Sequence, residues 1–324
     1  MTYPLVIEDV SFEDLIDDPD HFVKLFRESK LLIFPELHLS EIQNAQVREA
    51  FGYGFYGHHD ETHKFSIERY FDENFDEVGP EDLLVQWHLE NLDDPYPPVA
   101  VGWNMTKFDC PKGHGNTGFV NMINIYSKLD QEHQDFYNNL SFMAYINALE
   151  EHTLKAPRGK VSDGVIEVYK KMAAGETAIS QQPNTAFRHE MHTMTPVRKA
   201  VVPHPLTDEL TLRYVPEPFY LVLPEFHEQR KVADAAVREL INDPDNQVWW
   251  EWNKGDYVFA DLVVTCHSVK GGFADGERVL DVAFGLIGEY PKHLREEWQS
   301  DDPRFLLENS VGGGVSRGTE GIAR

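Results

Sequence analysis

His88 and Glu90 are separated by one residue in Gln86-Trp87-His88-Leu89-Glu90, and His267 lies far downstream in Thr265-Cys266-His267-Ser268. Side chains alternate along an extended segment, so His88 and Glu90 would share one face while Leu89 points away. Two imidazoles and one carboxylate are the donor set that holds Fe(II) on one side and leaves the other side open for oxygen chemistry. The same triad also suits zinc in a metal-dependent hydrolase. A metal-binding sensor without turnover would need nothing more. His-x-Glu alone says little in a chain with 15 histidines and 55 acidic residues. His189-Glu190-Met191-His192 is one residue short of the zinc-protease spacing, so it does not recreate that motif's helix face.

Arg278 opens the apolar run Val279 to Gly285, directly after the segment that carries His267. A guanidinium grips a planar carboxylate through two parallel hydrogen bonds, which makes Arg278 a candidate anchor for an oxo-acid cosubstrate. A salt bridge to Glu277 or Asp281 is the competing role.

Several elements must position these groups. Apolar positions among acids from Ser11 to Ser29, interrupted at Asp18-Pro19, predict two helical segments, and Leu31 to Phe34 predicts a strand closed by Pro35. Ser40 caps a further helix. Gly52 to Asp82, rich in His, Tyr, Phe and acids, reads as a long covering loop. Strands are expected at Leu83–His88, Val99–Met105, Phe119–Ile125, Val197–Val202, Leu210–Val215, Val248–Trp252, Tyr257–His267 and Arg278–Ile287. Helices are expected at Ser127–Leu149 and Glu225–Asn242. Trp249, Trp250 and Trp252 read as sheet packing, and Asn116 and Asn121 as turn and strand-end residues. The fold class is therefore mainly β with flanking helices, a double-stranded β-helix or jelly roll. A single domain spans 1–308 with a helical or loop insertion near 150–185, and 309–324 forms a flexible tail.

Composition narrows the partners. The 324 residues, 41% hydrophobic, suffice for a sizeable core, and 29 Lys+Arg against 55 Asp+Glu give a formal charge of −26. Such a surface repels phosphate backbones and anionic membranes, so neither nucleic acid nor membrane is an expected partner. The N-terminal residues show no signal-peptide pattern, no window reaches the roughly 18 apolar residues of a membrane span, and Cys110 and Cys266 read as reduced thiols. A cytoplasmic location follows as the expectation. Self-association is left open.

Taken in order, the chain resembles the taurine dioxygenase and clavaminate synthase-like family of Fe(II)/2-oxoglutarate-dependent oxygenases. The residues that carry the resemblance are Phe51-Gly52, Trp87-His88-x-Glu90, Pro97-Pro98, Gly115-Asn116-Thr117, His204-Pro205, and Trp252, Gly255-Asp256, His267 and Arg278. The resemblance covers roughly residues 30 to 291. It implies iron on His88, Glu90 and His267, with 2-oxoglutarate and O2 as cosubstrates. Thr117 would hydrogen-bond a cosubstrate carboxylate, and Arg278 would hold the distal one. His59 falls near the position where taurine-using relatives place a substrate-contacting histidine. Glu90 stands where most taurine-type members have Asp, a variation of the clavaminate synthase-like branch, which acts on amino acids and derivatives. Val282 stands where sulfonate users carry a second arginine, which disfavours a sulfonate. Because Glu90 keeps the carboxylate ligand, no place is vacated for chloride, and a halogenase is disfavoured too. The implied reaction is hydroxylation of a small polar metabolite with release of succinate and CO2.

Overall fold

A computed structural model describes residues 3–62, 83–90, 98–144, 198–216, 220–222, 226–274 and 276–286. Along the chain lie β1 (Leu5–Val6), α1 (Phe12–Asp17), α2 (Pro19–Ser29), β2 (Leu31–Phe34), α3 (Glu41–Ala50), β3 (Gly54–Thr62), β4 (Leu83–His88), β5 (Ala100–Phe108) and β6 (Thr117–Asn121). There follow α4 (Met122–Lys128), α5 (Gln131–Asn139), β7 (Ser141–Ala144), β8 (Arg198–Lys199), β9 (Val201–Pro203), β10 (Leu210–Leu212), β11 (Tyr220–Val222), α6 (His227–Asn242), β12 (Gln247–Trp250), β13 (Tyr257–Asp261), β14 (Thr265–Lys270) and β15 (Arg278–Leu286). All of these helices except α6 begin where a side chain satisfies the first free N–H groups. Ser11 with Asp14, and Ser40 with Gln43, form reciprocal capping boxes for α1 and α3. Asp18 caps α2 with Pro19 just inside it, which is why the Asp18-Pro19 break separates two helices.

Two sheets form the jelly roll: a six-stranded one in the order β1-β2-β13-β5-β15-β3 and a four-stranded one in the order β12-β6-β14-β4. Alternation along the strands sorts side chains into layers. Ile33, Val101, Trp103, Val258 and Val282 of the larger sheet meet Phe119 of the smaller one in a shared cluster. The other face of the larger sheet, with Leu32, Phe34, Tyr257 and Phe259, packs on Leu15, Phe22, Phe26 and Val47 of α1–α3. Phe26 meets Phe259 edge-on at 4.8 Å, and burying a ring of this size contributes about 1.5–3 kcal/mol, enough to hold α2 on the sheet. Behind the smaller sheet, Trp87, Val120 and Cys266 pack with Met122, Tyr137, Val237 and Ile241 of α4–α6. No helix among the described residues is long and apolar enough to cross a membrane.

The structure departs from the sequence reading at several elements. Tyr257–His267 is two strands in different sheets, because Asp261 accepts a hydrogen bond from Val263 N at 3.0 Å and the chain turns a corner there. Apolar content alone could not reveal a turn built by one aspartate. The Gly52–Asp82 loop contains β3, a polar edge strand whose ladder runs along β15; residues 63–82 lie outside the described residues. The strand expected over Phe119–Ile125 ends at Asn121, which caps α4 by accepting from Ile123 N and Asn124 N. The helix expected over Ser127–Leu149 is broken by the Asp130 cap of α5 and ends before β7. The insertion at 150–185, the His189–His192 motif and the 309–324 tail lie outside the described residues.

Candidate functional site

The metal-type triad is assembled on the smaller sheet. β4 and β14 run antiparallel with His88 and His267 as direct register partners, and the ladder slips between His267 and Val269. Their ring centroids are 4.1 Å apart. β4 ends at His88, so Glu90 sits on the turn that follows and not in the strand the sequence reading placed it in. From that turn Glu90 Oε2 lies 3.3 Å from His267 Nε2 and 3.7 Å from His88 Nε2. One donor atom from each residue lies within 4.8 Å of the other two, a spacing that lets a single ion touch all three. Trp103 borders the cluster with its ring 5.0 Å from that of His267. His267 is buried, whereas the side chains of His88 and Glu90 are 27% and 24% exposed, so the cluster is partly open to solvent.

Burial works against an ionised Glu90, yet hydrogen bonds and charge from His267 and His88 outweigh it and hold the carboxyl well below the usual carboxylate range. The group is an anion at neutral pH. Two imidazole nitrogens and an ionised carboxylate on one accessible side fit a divalent first-row ion.

A second cluster joins the two sheets. Arg278, at the start of β15, is 1% exposed. Its Nε donates to Gly115 O at 3.0 Å and its Nη2 to Thr117 Oγ1 at 2.9 Å. Trp252 Nε1 donates to the same hydroxyl at 2.8 Å. With both lone pairs of Thr117 Oγ1 engaged, its own O–H is left to donate outward. Gly115 has φ +71°, and a Cβ there would meet Cys110 Sγ at 2.7 Å, so only glycine brings its carbonyl to Arg278 in this conformation. Burial pushes the Cys110 thiol up to about 11, which keeps it an unreactive neighbour.

The other residues singled out by sequence fall as follows. His59 is on β3, in register with Val282 of β15, which is itself in register with Trp103 of β5. Val282 is fully buried in the cluster between the sheets. Trp249 and Trp250 belong to β12, and Trp250 Nε1 donates to Asp256. Asp256 also accepts from Asn253 N and Glu36 N, which fastens the connection holding Trp252. Three contributors escaped the sequence reading: Trp252 as a donor to Thr117, the Gly115 carbonyl, and a buried pair in which His204 Nε2 lies 2.7 Å from Asp261 Oδ2. The His204-Pro205 turn was visible as a motif, but its partner, far along the chain at the β13 corner, was not.

A family model described as taurine catabolism dioxygenase TauD, TfdA family matches residues 2–284. Among solved structures, a putative alpha-ketoglutarate-dependent taurine dioxygenase from Burkholderia xenovorans is 15% identical with a TM-score of 0.60, covering 90% of this chain and 89% of that one. A taurine dioxygenase from Burkholderia xenovorans is 18% identical with a TM-score of 0.58, covering 89% of each chain. AAD-2, solved in complex with Mn(II) and N-oxalylglycine, is 15% identical with a TM-score of 0.58, covering 89% of this chain and 96% of that one. At these identities the likeness is one of fold. No curated protein matches in sequence.

Proposed function

Since the chain belongs to the taurine catabolism dioxygenase TauD, TfdA family of 2-oxoglutarate-dependent dioxygenases, we propose that it hydroxylates an amino acid or related small polar metabolite at a centre built from His88, Glu90 and His267. The observation that carries this reading is the convergence of those three donors within 4.8 Å. Fe(II) bound there, with 2-oxoglutarate and O2, supplies the oxidative decarboxylation to succinate and CO2 and the oxygen delivered to substrate.

The chain's own residues bind and orient. Glu90, held ionised, offers an anionic donor beside two imidazole nitrogens. The Arg278 guanidinium holds the distal carboxylate of 2-oxoglutarate, and the Thr117 hydroxyl, an acceptor from Arg278 and Trp252, donates its proton to a cosubstrate carboxylate. Trp252 fixes that hydroxyl, so the donor is oriented before the cosubstrate arrives. Trp103 excludes water from one flank of His267. His59, at the ladder position next to Val282, is the proposed substrate contact from β3. Val282 places an apolar group where sulfonate-using relatives carry arginine, which argues against a sulfonate, and Glu90 in place of Asp points to the amino-acid-using branch.

The test is succinate release from 2-oxoglutarate with Fe(II), ascorbate and air, across a panel of amino acids, their derivatives and taurine. Substrate-stimulated release with an amino-acid-type compound is expected. Folded protein that binds the ion yet yields no succinate with any compound would favour a zinc hydrolase or a metal-binding sensor; stimulation by taurine alone would refute the substrate class.

A further inference from the structure

Four arginines are buried among the described residues: Arg48, Arg213, Arg230 and Arg278. Arg48 donates to Phe284 O and Glu49, Arg230 pairs with Asp234, and Arg278 has the contacts given above. Arg213 differs. It is 3% exposed, its Nε is buried with no hydrogen-bond partner, and no described carboxylate pairs with it. Only its backbone is engaged, with N–H donating to Ala200 O at 2.7 Å. A guanidinium removed from water without an anion is costly by several kcal/mol, so such a position calls for a counter-charge. Arginine is also the side chain best shaped for a planar carboxylate, which it meets with two parallel donors.

The surroundings fix its place. Leu212 and Tyr214, on either side of it, belong to the core behind the smaller sheet, so alternation puts Arg213 on the opposite face of the segment, the face of Thr211. Thr211 Oγ1 donates to Val263 O at the corner between β13 and β14, the corner from which the chain runs to His267. Carboxylates on or bonded to the adjoining elements are committed elsewhere: Asp261 to His204, Asp234 to Arg230, Tyr137 and Tyr214, and Glu209 to Lys30.

We propose that Arg213 is an anion-binding residue that receives the carboxylate of a small molecule beside the β13–β14 corner. That this carboxylate belongs to the oxidised substrate rests on the proposed oxygenase reading; the binding site itself does not. It would give the enzyme a carboxylate anchor on a different element from Val282.

Two arms test it on the full chain. In the first, melting temperature is followed under anaerobic Fe(II) and excess 2-oxoglutarate, which occupies Arg278, while acetate replaces chloride at constant ionic strength. Acetate should raise the melting temperature of the wild type and leave Arg213→Gln unchanged. In chloride, Arg213→Gln should melt no lower than wild type, because it removes an uncompensated buried charge. A wild type indifferent to acetate, an equal response in Arg213→Gln, or a variant that melts far lower in chloride would each overturn the proposal. The second arm measures succinate release with amino acids and with their amides. A rise in KM of ten-fold or more for carboxylates in Arg213→Gln, with kcat nearly kept and amides unaffected, identifies the substrate as the source. An unchanged KM alongside a lost acetate response identifies a separate small carboxylic acid. Absence of all iron-dependent succinate in the wild type would sink the oxygenase reading and leave the acetate arm standing.

Discussion

The two polar clusters of the jelly roll are built in opposite ways. His88, Glu90 and His267 sit on adjacent strands of one sheet and on the turn after β4, and the cluster is partly exposed. Arg278, Thr117 and Trp252 come from the larger sheet, the smaller sheet and the connection between β12 and β13, and all three are buried. The first is fixed by a local strand register. The second exists only when the sandwich closes. A metal-type site can therefore tolerate some looseness between the sheets, whereas the proposed carboxylate anchor is more sensitive to it, since a fraction of an ångström weakens a charged hydrogen bond.

Mutations should separate the two. The largest effect is expected from His267→Ala, which removes a donor and should eliminate iron-dependent succinate formation and Fe(II) binding while circular dichroism stays native. Arg278→Gln should raise the KM for 2-oxoglutarate by about 30-fold or more, the equivalent of losing a buried charged contact, with Fe(II) affinity unchanged. Equal losses of both in titrations of the variant would show the clusters to be one unit. Trp252→Phe deletes one neutral hydrogen bond, about 0.5–1.5 kcal/mol, so a several-fold rise in the same KM is expected, again without loss of metal.

The smallest effect should come from a site belonging to neither cluster. Glu209, half-exposed, pairs with the buried Lys30 at 3.1 Å. Burial alone would raise its carboxyl, but hydrogen bonds from Thr207 and Lys30 and the Lys30 charge lower it below the usual range. A depressed carboxylate stabilises the fold above its unfolded pKa and loses that contribution as pH falls through its folded value. Glu209→Gln should therefore cost about 1 kcal/mol or less at pH 7, and the difference in melting temperature from wild type should vanish in acid. A gap that persists at low pH would assign the effect to packing.

The sequence was most legible where one signal suffices. The capping serine at 40, the Asp18-Pro19 break, and the apolar runs of β2, β4 and β15 are local, and their elements formed where expected. It misled where one side chain redirects an apolar run, as Asp261 does at the β13–β14 corner, or where a polar segment is held by a partner strand, as β3 is by β15. Of the site, the residue types and their order could be read from spacing and resemblance. The Trp252 bond to Thr117 could not, because a tryptophan in an apolar stretch looks the same whether its N–H is used or idle.

By itself, the sequence determined the chemical menu: which donors exist, that Arg278 follows His267, and that an acidic chain of this length must bury a core. Only the tertiary structure decided how closely His88 and His267 approach, that Glu90 reaches them from a turn, and that Arg278 is satisfied while Arg213 is not. The reason is physical. Residue type fixes what a group can bind, but distance and burial fix whether it does, and both depend on strands far apart in the chain being brought into register.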